Sequence, residues 1–498
     1  MATGNGVASC LRRDRPAEEF ILRMKVLPIL FLFPLLLLAG PRPLTEKPNI
    51  LLLFADDLGY GELGCQGNAE IPTPHIDSIA RKGVRFTQGY VTAPVCAPSR
   101  AGMLSGRHQR RFGWDINVMP HVEGGSEHGL PATETTLGEY LQALGYRTGI
   151  IGKWHLGARR AFNPLHNGFD SFFGFVHEGH YFVPPPYAGV TTLLRKKHLP
   201  GGVTGRWFSP ERPLIYHDIL GNEPLYDLHN PILRGFDPVE EPRYLTDAFT
   251  DEGVAFLRAH RDRPFFLFMS YNAVHSPLQG ADAYMKKMDF IEDIQRRIFA
   301  AMLANLDDSV GKLLATLREL ELERNTWVIF LSDNGGPTRE LTSSNLPLKD
   351  GKGRLSEGGI RIPFMMQWPG QLPAGTVVDY PVISLDLYAT AGALAGKPVD
   401  PERSDGVNLM PYLRGDKSGV PHEQLWWEYR NSGALRAGKW KVIKQRGAKR
   451  WALYDLAEDV GETRDLAAEH PERLERMRGE WEATRQRVAE QARLGPSR

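Results

Sequence analysis

The chain of 498 residues is 42% hydrophobic and carries 60 basic against 59 acidic side chains, which gives a formal net charge of +1. A chain of this length and composition can bury a large core in one or two domains, so an intrinsically disordered protein is excluded. Because basic and acidic residues are interspersed, no basic stripe is available for a phosphate backbone, and we predict no nucleic-acid partner.

An uncharged apolar run, 26–39, follows Arg23 and Lys25 near the N-terminus. The run is short for a bilayer span and contains two prolines, which favours a secretory signal over a membrane anchor. We therefore predict an N-terminal extension with a signal peptide over 1–42, no stable membrane span, and export to the periplasm or secretion. The sequence leaves open whether translation begins at Met1 or Met24.

Four apolar runs each end in charged or imidazole side chains. The first, P-N-I-L-L-L-F-A-D-D, ends at Asp57, and the others lie at 147–155, 264–275 and 327–336. Continuous apolar runs of this kind are typical of strands buried on both faces of a mainly parallel sheet. Apolar residues from Ile298 to Leu320 recur every three or four positions and predict an amphipathic crossover helix. The pattern indicates an α/β fold with helices flanking a large, mainly parallel sheet.

Two later segments have a different character. A stretch rich in proline and glycine, 182–242, is predicted to be a surface excursion that shapes a substrate entrance rather than packing in a core. Beyond Asp405, alternating patterns predict antiparallel strands, and apolar residues from Leu474 to Val488 predict a closing helix. We predict a catalytic α/β domain over 47–404 and a smaller α+β subdomain over 405–498.

Polar oxygen donors follow two of the predicted strands. Asp56 and Asp57 end the first strand, and Asp333 and Asn334 end a later one. Strand ends in α/β sheets are where ligands bind, and oxygen ligands favour a hard cation, Ca²⁺ or Mg²⁺, over zinc. Either motif alone could be a turn or a cap, but their joint position favours a metal site.

The stretch V-C-A-P-S-R-A-G-M-L-S-G-R contains one of only three cysteines, Cys96. Pro98 suits the first turn of a helix, which places Cys96 at or just before the helix cap, where anions are attracted. Arg100, one turn further on, is expected within reach of any group on Cys96. A structural cysteine, a thiolate nucleophile and a precursor of another group all fit this pattern.

Four further side chains are candidates for an anion site. Lys153 and His155 share a face if their segment is extended, and His275 and Lys352 lie in loops after other strands. Each alone could be structural. Together with Arg100 they would surround the carboxylates with positive charge, which suits a tetrahedral oxyanion such as phosphate or sulfate.

These motifs resemble those of the type I sulfatases in the alkaline-phosphatase-like superfamily. The resemblance rests on C-A-P-S-R with L-S-G-R, and on P-N-I-L-L-L-F-A-D-D-L-G-Y-G, G-K-W-H-L-G, S-D-N-G-G and a K-x-x-x-x-E-G-G run, in the family's order. It implies a sulfuric ester hydrolase with an alkaline-phosphatase-like fold. It also implies that a formylglycine-generating enzyme oxidises Cys96 to Cα-formylglycine before folding.

The resemblance also assigns a metal site. It implies one Ca²⁺, with Mg²⁺ as the alternative, bound by Asp56, Asp57, Asp333, Asn334 and an oxygen of modified Cys96. In this scheme the hydrated aldehyde attacks sulfur, and the alcohol leaves. Elimination from the second hydroxyl then releases sulfate, so that no second attack at a crowded, anionic sulfur is needed.

The remaining catalytic roles follow from the same resemblance. His275 and Lys352 would hold the sulfate or protonate the leaving oxygen. His155 would accept the proton of the second hydroxyl, while Arg100 and Lys153 steady the diol.

The substrate is less closely defined. A-V-H-S-P-L-Q and N-L-P-L-K-D-G-K-G-R-L-S-E-G-G look most like arylsulfatase B and bacterial glycan sulfatases, which favours a sulfated carbohydrate over a small aryl sulfate. His177, Glu178 and His180 are candidates for substrate contact. A phosphodiester or phosphonate ester hydrolase on this scaffold, and a non-catalytic glycan-binding homologue, are the alternatives. The sequence does not determine the sugar, the sulfate position, exo or endo action, or the oligomeric state.

Overall fold

A ten-stranded sheet forms the centre of the computed structural model, which describes residues 47–117, 128–210 and 213–494. These residues all belong to one compact unit, 41–498. The predicted signal sequence lies outside the described residues, and so do both candidate start sites. Among the residues that are described, none of the helices is long and apolar enough to span a bilayer.

The strands are, in chain order, β1 Asn49–Ala55, β2 Val84–Phe86, β3 Gly89–Tyr90, β4 Arg147–Lys153, β5 Ser171–Phe175, β6 Val190–Arg195, β7 Arg206–Phe208, β8 Leu214–His217, β9 Leu233–Arg234, β10 Asp237–Pro238, β11 Phe265–Ser270, β12 Leu278–Ala281, β13 Thr326–Ser332, β14 Phe364–Gln367, β15 Thr376–Val378, β16 Val382–Ile383, β17 Gln424–Tyr429, β18 Ser432–Ala437, β19 Trp440–Lys444 and β20 Ala452–Asp455.

The helices are α1 Pro74–Lys82, α2 Cys96–Ser105, α3 Leu137–Ala143, α4 Leu245–Ala259, α5 Asp282–Lys287, α6 Ile294–Glu319, α7 Thr338–Leu341, α8 Glu357–Ile360, α9 Asp386–Leu394, α10 Met410–Leu413 and α11 Pro471–Leu494.

The strands of the large sheet run in the order β10-β9-β5-β4-β11-β1-β13-β14-β2-β15. The five central strands, β5 to β13 in this order, are mutually parallel, whereas β14 is antiparallel to both of its neighbours. The predicted α/β fold with a large, mainly parallel sheet is confirmed. In β1, Ala55 pairs with Ser332, and Phe54 pairs with Ser270 on the other side. The carboxyl ends of the three central strands therefore lie level with one another.

Strand β1 is buried on both faces, as its continuous apolar run predicts. Its odd-numbered residues, such as Leu51 and Leu53, pack in a core with α1, α4 and α6. Its even-numbered residues, such as Leu52 and Phe54, pack in a second core with α2, α3 and α9. The alternation of side chains along a strand thus covers both faces of the sheet with helices.

Helix α6 is the amphipathic helix that the sequence predicts. It begins after Asp293, whose side chain accepts a hydrogen bond from the backbone N–H of Arg296 as an N-cap. Its apolar face, including Met302, Leu306 and Val310, is buried in the first core.

The segment 182–242 is more structured than predicted. Strands β6, β8 and β7 within it form a four-stranded sheet with β12. Val190, Leu193 and Ile215 on these strands are buried in the first core. The prediction that this segment does not pack in a core is therefore wrong, because its strands are apolar on one side.

Another four-stranded sheet, β17-β18-β19-β20, is antiparallel, lies near the C-terminus and packs against α11. Trp481 and Met477 of α11 are buried against Leu435 and Leu453 of the sheet. The predicted antiparallel strands and closing helix are confirmed. The boundary at 404/405 stays a prediction.

Gly152 in β4 shows how closely the central strands approach one another. Its φ is +110°, and a Cβ atom there would lie 1.9 Å from the carbonyl oxygen of Ser270. We expect Gly152→Ala to lower the free energy of unfolding by about 3 kcal/mol or more, because overpacking and an unfavourable φ add together. Denaturant titration measures the loss.

Gly145→Ala is the matched control. Its φ is +86° and no atom lies within 4 Å of its Cβ position, so only the conformational cost of about 1 kcal/mol is expected. Equal losses in the two variants would show that the close approach is not the limiting constraint.

Candidate active site

Three carboxylates meet at the carboxyl edge of the large sheet. Asp56 and Asp57 follow β1, and Asp333 follows the neighbouring parallel strand β13. The backbone N–H of Asp57 donates to Asp333 Oδ1 at 3.1 Å, and Asn334 Nδ2 donates to Asp57 Oδ1 at 2.7 Å. All four residues are fully buried or nearly so. The structure thus brings together the four oxygen-bearing residues that the sequence places at strand ends.

Cys96 faces the same group. It is the first residue of α2, and the extended residue Val95 before it is the N-cap. Cys96 thus lies one position later than the sequence predicts. Its Sγ lies 3.6 Å from Asp56 Oδ1, and ligand atoms of Cys96, Asp56, Asp57 and Asp333 all lie within 4.8 Å of one another. Burial, reinforced by the charge of Asp333, raises the pKa of the Cys96 thiol well above its usual value. A thiol in this position is a poor thiolate nucleophile.

Two buried cations balance the carboxylates from the side of β4 and α2. Lys153 Nζ donates to Asp56 Oδ2 at 2.6 Å. Arg100 Nε donates to Asp333 Oδ2 at 3.0 Å, and Nη2 lies 3.8 Å from Asp56 Oδ2. Arg100 therefore contacts the carboxylates directly, as one of the positive charges that the sequence analysis places around them.

Ser270 supports these cations and was missed in the sequence. Arg100 Nη1 donates to Ser270 Oγ at 2.6 Å, and Ser270 Oγ donates to the carbonyl oxygen of Lys153 at 2.6 Å. The signal that could have identified Ser270 is a single hydroxyl at the end of the apolar run F-F-L-F-M-S.

Lys352 and His275 approach from the opposite side. Lys352 Nζ donates to Asp57 Oδ2 at 2.7 Å. Burial lowers the pKa of Lys352, but the combined attraction of Asp57 and the other acidic groups around it raises that pKa well above its usual value. His275 Nε2 lies 3.6 Å from Asp57 Oδ2, and Nδ1 is 2.6 Å from the carbonyl oxygen of Ser276. Burial and the nearby charge of Lys352 lower the pKa of His275 well below its usual value. The imidazole is therefore neutral near pH 7.

His155 is fully buried, but the predicted alternation with Lys153 does not hold. Strand β4 ends at Lys153, and His155 has a φ of 61°, which is not extended backbone. The expectation that both side chains share one face of a strand is wrong for this reason. The catalytic role of His155 stays a prediction.

The carboxylate cluster has the electrostatics of a cation site. Burial, together with Asp333, raises the pKa of Asp56 to about 8, and burial also raises that of Asp57. The pKa of Asp333 is lowered, because Arg100 and Lys153 outweigh its burial. Asn334 Oδ1 is buried without a hydrogen-bond partner among the described residues. Three carboxylates and an unpaired amide oxygen fit a hard divalent cation and leave Ca²⁺ and Mg²⁺ both open.

The loop that carries Lys352 is fixed from the C-terminal sheet. Lys441 of β19 donates to Glu357 Oε1 at 2.8 Å and lies 2.9 Å from Glu462 Oε1, and all three residues are buried. The attraction of Lys441 lowers the pKa of Glu357 to about 2 despite burial. Lys349 Nζ also donates to the carbonyl oxygen of Glu462 at 2.8 Å. The turn from Lys349 to Glu357 is therefore held at both ends.

A second polar network lies beside His275 and was also missed. Ser276 Oγ donates to Glu340 Oε1 at 2.7 Å, and Tyr226 OH lies 2.8 Å from the same hydroxyl. Arg195 is paired with Glu340 at 3.1 Å and with Glu223 at 3.1 Å. Tyr226, Arg195 and Glu223 come from 182–242, so this segment contacts the surroundings of His275, and its role in shaping a substrate entrance stays a prediction.

His177 and His180, candidates for substrate contact, are both buried. His177 Nε2 lies 3.2 Å from the carbonyl oxygen of His229, and His180 Nδ1 lies 2.9 Å from that of Tyr181. These contacts fix the surrounding loops and leave substrate contact a prediction.

Comparison with known proteins decides the family. The sulfatase family model matches residues 48–397, and a model described as N-sulphoglucosamine sulphohydrolase, C-terminal, matches residues 351–485. The chain belongs to the sulfatase family. The resemblance stated from its motifs is confirmed.

Individual sulfatases align over most of their length. Human arylsulfatase D is 35% identical over 493 residues, 87% of this chain and 81% of that protein. Human arylsulfatase A is 36% identical over 419 residues, 82% of this chain and 77% of that protein. The crystal structure of Ps i-CgsB in complex with k-i-k-neocarrahexaose is 32% identical, covers 90% of this chain and 94% of that chain, and has a TM-score of 0.77.

Lys441 provides a test of the link between the C-terminal sheet and the site. We expect Lys441→Met to lower the free energy of unfolding by about 3–5 kcal/mol, because two buried carboxylates lose their cation. Thermal and denaturant unfolding measure the change.

Lys439→Met is the matched control on the same sheet. Lys439 pairs with Asp455 at 2.6 Å, but its side chain is 52% exposed, so a loss of at most about 1 kcal/mol is expected. If the two variants were equally stable, the buried network would not hold the loop.

Proposed function

We propose that this sulfatase hydrolyses sulfate esters of glycans, using an oxygen nucleophile made by oxidation of Cys96 to Cα-formylglycine and one bound Ca²⁺. The observation that carries the proposal is the position of Cys96. Its side chain lies against three carboxylates that are paired with Arg100, Lys153 and Lys352. We further propose that a formylglycine-generating enzyme acts on Cys96 before the chain folds, since Cys96 is fully buried afterwards.

The electrostatics of Cys96 support conversion to an oxygen nucleophile. An unmodified thiol here is buried beside carboxylates, which raises its pKa and keeps it protonated. Sulfur is also a poor ligand for the hard cation that the oxygen donors favour. A hydrated aldehyde at this position would place an oxygen where the thiol now lies, and this oxygen would match the other ligands.

Asp56, Asp57, Asp333 and Asn334 are the side chains that would hold Ca²⁺. When bound, the ion would supply Lewis acidity and orient the nucleophilic oxygen of residue 96. Asp333 is the carboxylate with a lowered pKa, held ionised by Arg100 and Lys153, and can accept a proton from that oxygen.

Lys352 and His275 would bind the sulfate ester and its leaving group. Lys352 is partly exposed at 18%, so its ammonium group can contact a sulfate oxygen while it stays paired with Asp57. His275, neutral and fixed through Nδ1 by Ser276, directs Nε2 into the site. In its neutral state this nitrogen accepts hydrogen bonds, and on protonation it can donate to the leaving oxygen.

The substrate class is inferred from structure and comparison together. Ps i-CgsB, with a TM-score of 0.77 to this chain, binds a neocarrahexaose in its crystal structure. The segment 182–242 contributes Tyr226, Arg195 and Glu223 to the polar network beside His275. A sulfated carbohydrate is thus favoured over a small aryl sulfate.

Replacement of Cys96 tests the nucleophile. We expect Cys96→Ala to lower kcat for 4-nitrophenyl sulfate by at least about a thousandfold, because no oxygen nucleophile can form, while the fold is retained. The active protein should yield a Cys96 peptide about 18 mass units lighter than the unmodified one. Protein co-produced with the formylglycine-generating enzyme is used for kinetics and for mass spectrometry.

Cys65→Ala is the matched control, because Cys65 is also a free cysteine but its backbone N–H donates to Asp77, which is not one of the three carboxylates grouped with Cys96. It should retain activity. An active Cys96→Ala protein, or an active protein whose Cys96 peptide has the unmodified mass, would refute the proposed nucleophile.

A substrate panel separates the proposed reaction from its nearest alternative. We expect kcat/KM for 4-nitrophenyl sulfate to exceed that for 4-nitrophenyl phosphate and bis(4-nitrophenyl) phosphate by at least about tenfold. A dominant diesterase rate would instead assign a phosphodiester hydrolase to the same site. Binding of sulfated glycans with no turnover of any ester would indicate a non-catalytic homologue.

Calorimetric titration tests the cation site. We expect the protein to bind one Ca²⁺, and Asp57→Asn to weaken binding at least about tenfold, because a charged oxygen ligand is lost. Removal of Ca²⁺ by chelation should also lower the melting temperature.

Asp308→Asn is the control, since Asp308 belongs to a separate acidic group with His75 and Asp307 that is partly exposed. It should leave Ca²⁺ affinity unchanged. Equal affinity in Asp57→Asn, or tighter binding of Mg²⁺ than of Ca²⁺, would contradict the proposed site.

A further inference from the structure

A hairpin of the C-terminal sheet ends beside the active site. Strands β17 and β18 pair as far as Tyr429 and Ser432, so Arg430 and Asn431 form the two-residue loop between them. Tyr429 is buried in one cluster with Val95, which precedes Cys96, and with Leu355, which follows Lys352. Trp427 on the same strand donates to the carbonyl oxygen of Val91 at 2.7 Å. The hairpin is therefore fixed against the segment that leads to Cys96.

The charged groups that act on the Tyr429 phenol include residues of the active site. Burial raises the pKa of Tyr429, and the charges of Arg430 and Lys352 oppose that rise. Asp115 and Cys96 also act on the phenol. The loop residue that follows Tyr429 is thus at the border between the site and solvent.

Arg430 is the exposed residue at this border. Its guanidinium lies over the Tyr429 ring, with Cζ 5.3 Å from the ring centroid. Within the described ranges it makes no hydrogen bond or ion pair. Stacking on a buried ring restricts the side chain and leaves its N–H donors available to an anion.

The backbone of Arg430 is unfavourable for an arginine. Its φ is 52°, at the first position of a two-residue hairpin loop, where glycine or asparagine is usual. A residue kept in a conformation that its side chain disfavours points to a use for that side chain.

Arg195, on the other wall of the site, is not available to bind an anion in the same way. Its guanidinium is paired with both Glu223 and Glu340, and its side chain is only 12% exposed. Two carboxylates around one cation disfavour a further anion at that wall. A second negative charge on a substrate is therefore better placed toward the C-terminal hairpin.

We propose that Arg430 is a specificity-determining residue that binds a second anionic group, a sulfate ester or a carboxylate, on the glycan whose sulfate is hydrolysed. The proposal rests on the proposed sulfatase function and narrows its substrate to polyanionic glycans. Arg430 takes no part in the chemical step, so hydrolysis of a substrate with a single charge does not depend on it.

Paired ligands test the proposal. Each pair compares two oligosaccharides with the same backbone. One member carries a single sulfate, and the other carries in addition a second sulfate or a carboxylate. Their inhibition constants are measured in competition with 4-nitrophenyl sulfate hydrolysis. Backbones of glucosamine and of galactose are both included. We expect the doubly charged member of at least one pair to inhibit about tenfold more tightly, as for a charge-assisted contact. The arm that shows the difference identifies sulfate or carboxylate as the second group.

Variants of Arg430 identify the residue responsible. In Arg430→Gln the preference for the doubly charged ligand should fall to about twofold or less, while kcat/KM for 4-nitrophenyl sulfate stays within about twofold. Arg430→Lys should retain part of the preference, because the charge is kept. Wild-type protein that does not distinguish any pair, or a preference that persists in Arg430→Gln, would overturn the proposal.

Arg473→Gln is the matched control. Arg473 also lies over an aromatic ring, with Cζ 4.4 Å from the Trp440 centroid, but Trp440 pairs with Ala437 at the opposite end of β18. It should leave the preference unchanged. Titration of the Cys96→Ala protein with the same pairs measures binding directly. A failure of catalysis is thereby distinguished from a failure of recognition.

Discussion

The rest of the site depends on three carboxylates buried together at the end of a parallel sheet. Asp56, Asp57 and Asp333 cannot all be ionised there without nearby positive charge. Arg100, Lys153 and Lys352 supply it, yet the pKa of Asp56 is still raised to about 8. The three carboxylates and the three cations balance in formal charge, but burial still disfavours the ionised form of Asp56. A bound divalent cation would stabilise the ionised carboxylates and leave a net positive charge, which is what an anionic ester requires.

The parallel register explains why this arrangement could be predicted from the sequence. When strands β1 and β13 pair level at Ala55 and Ser332, the residues that follow each strand must meet. Runs of apolar residues followed by acids are local patterns, and the sheet edge is a direct consequence of them. The same argument holds for α6, because its buried apolar residues recur every three or four positions in the sequence. The fold class and the carboxylate cluster are therefore readable without coordinates.

Other contacts depend on where distant segments pack, and no local pattern reveals them. Lys441 and Glu357 are 84 positions apart in the sequence, and Ser276 and Glu340 are 64 positions apart. His155 shows a different limit of sequence-based prediction. Its positive φ, two residues after the end of β4, interrupts the extended backbone on which alternation of side chains depends. The core strands of 182–242 were missed because proline and glycine mask their apolar faces. Long-range polar networks and single backbone turns are what sequence patterns do not encode.

The C-terminal sheet acts on the site in two separable ways. Lys441 on β19 holds the turn that carries Lys352 through buried charges, so a change there alters stability and geometry together. Arg430 lies in a two-residue loop that is exposed and makes no ion pair with the described residues, so a change there costs the fold little. The catalytic residues lie at buried strand ends, whereas the proposed recognition residue lies in a hairpin loop. Substrate recognition can therefore change without a change in the catalytic residues. This separation would allow one catalytic arrangement to serve glycans with different charge patterns.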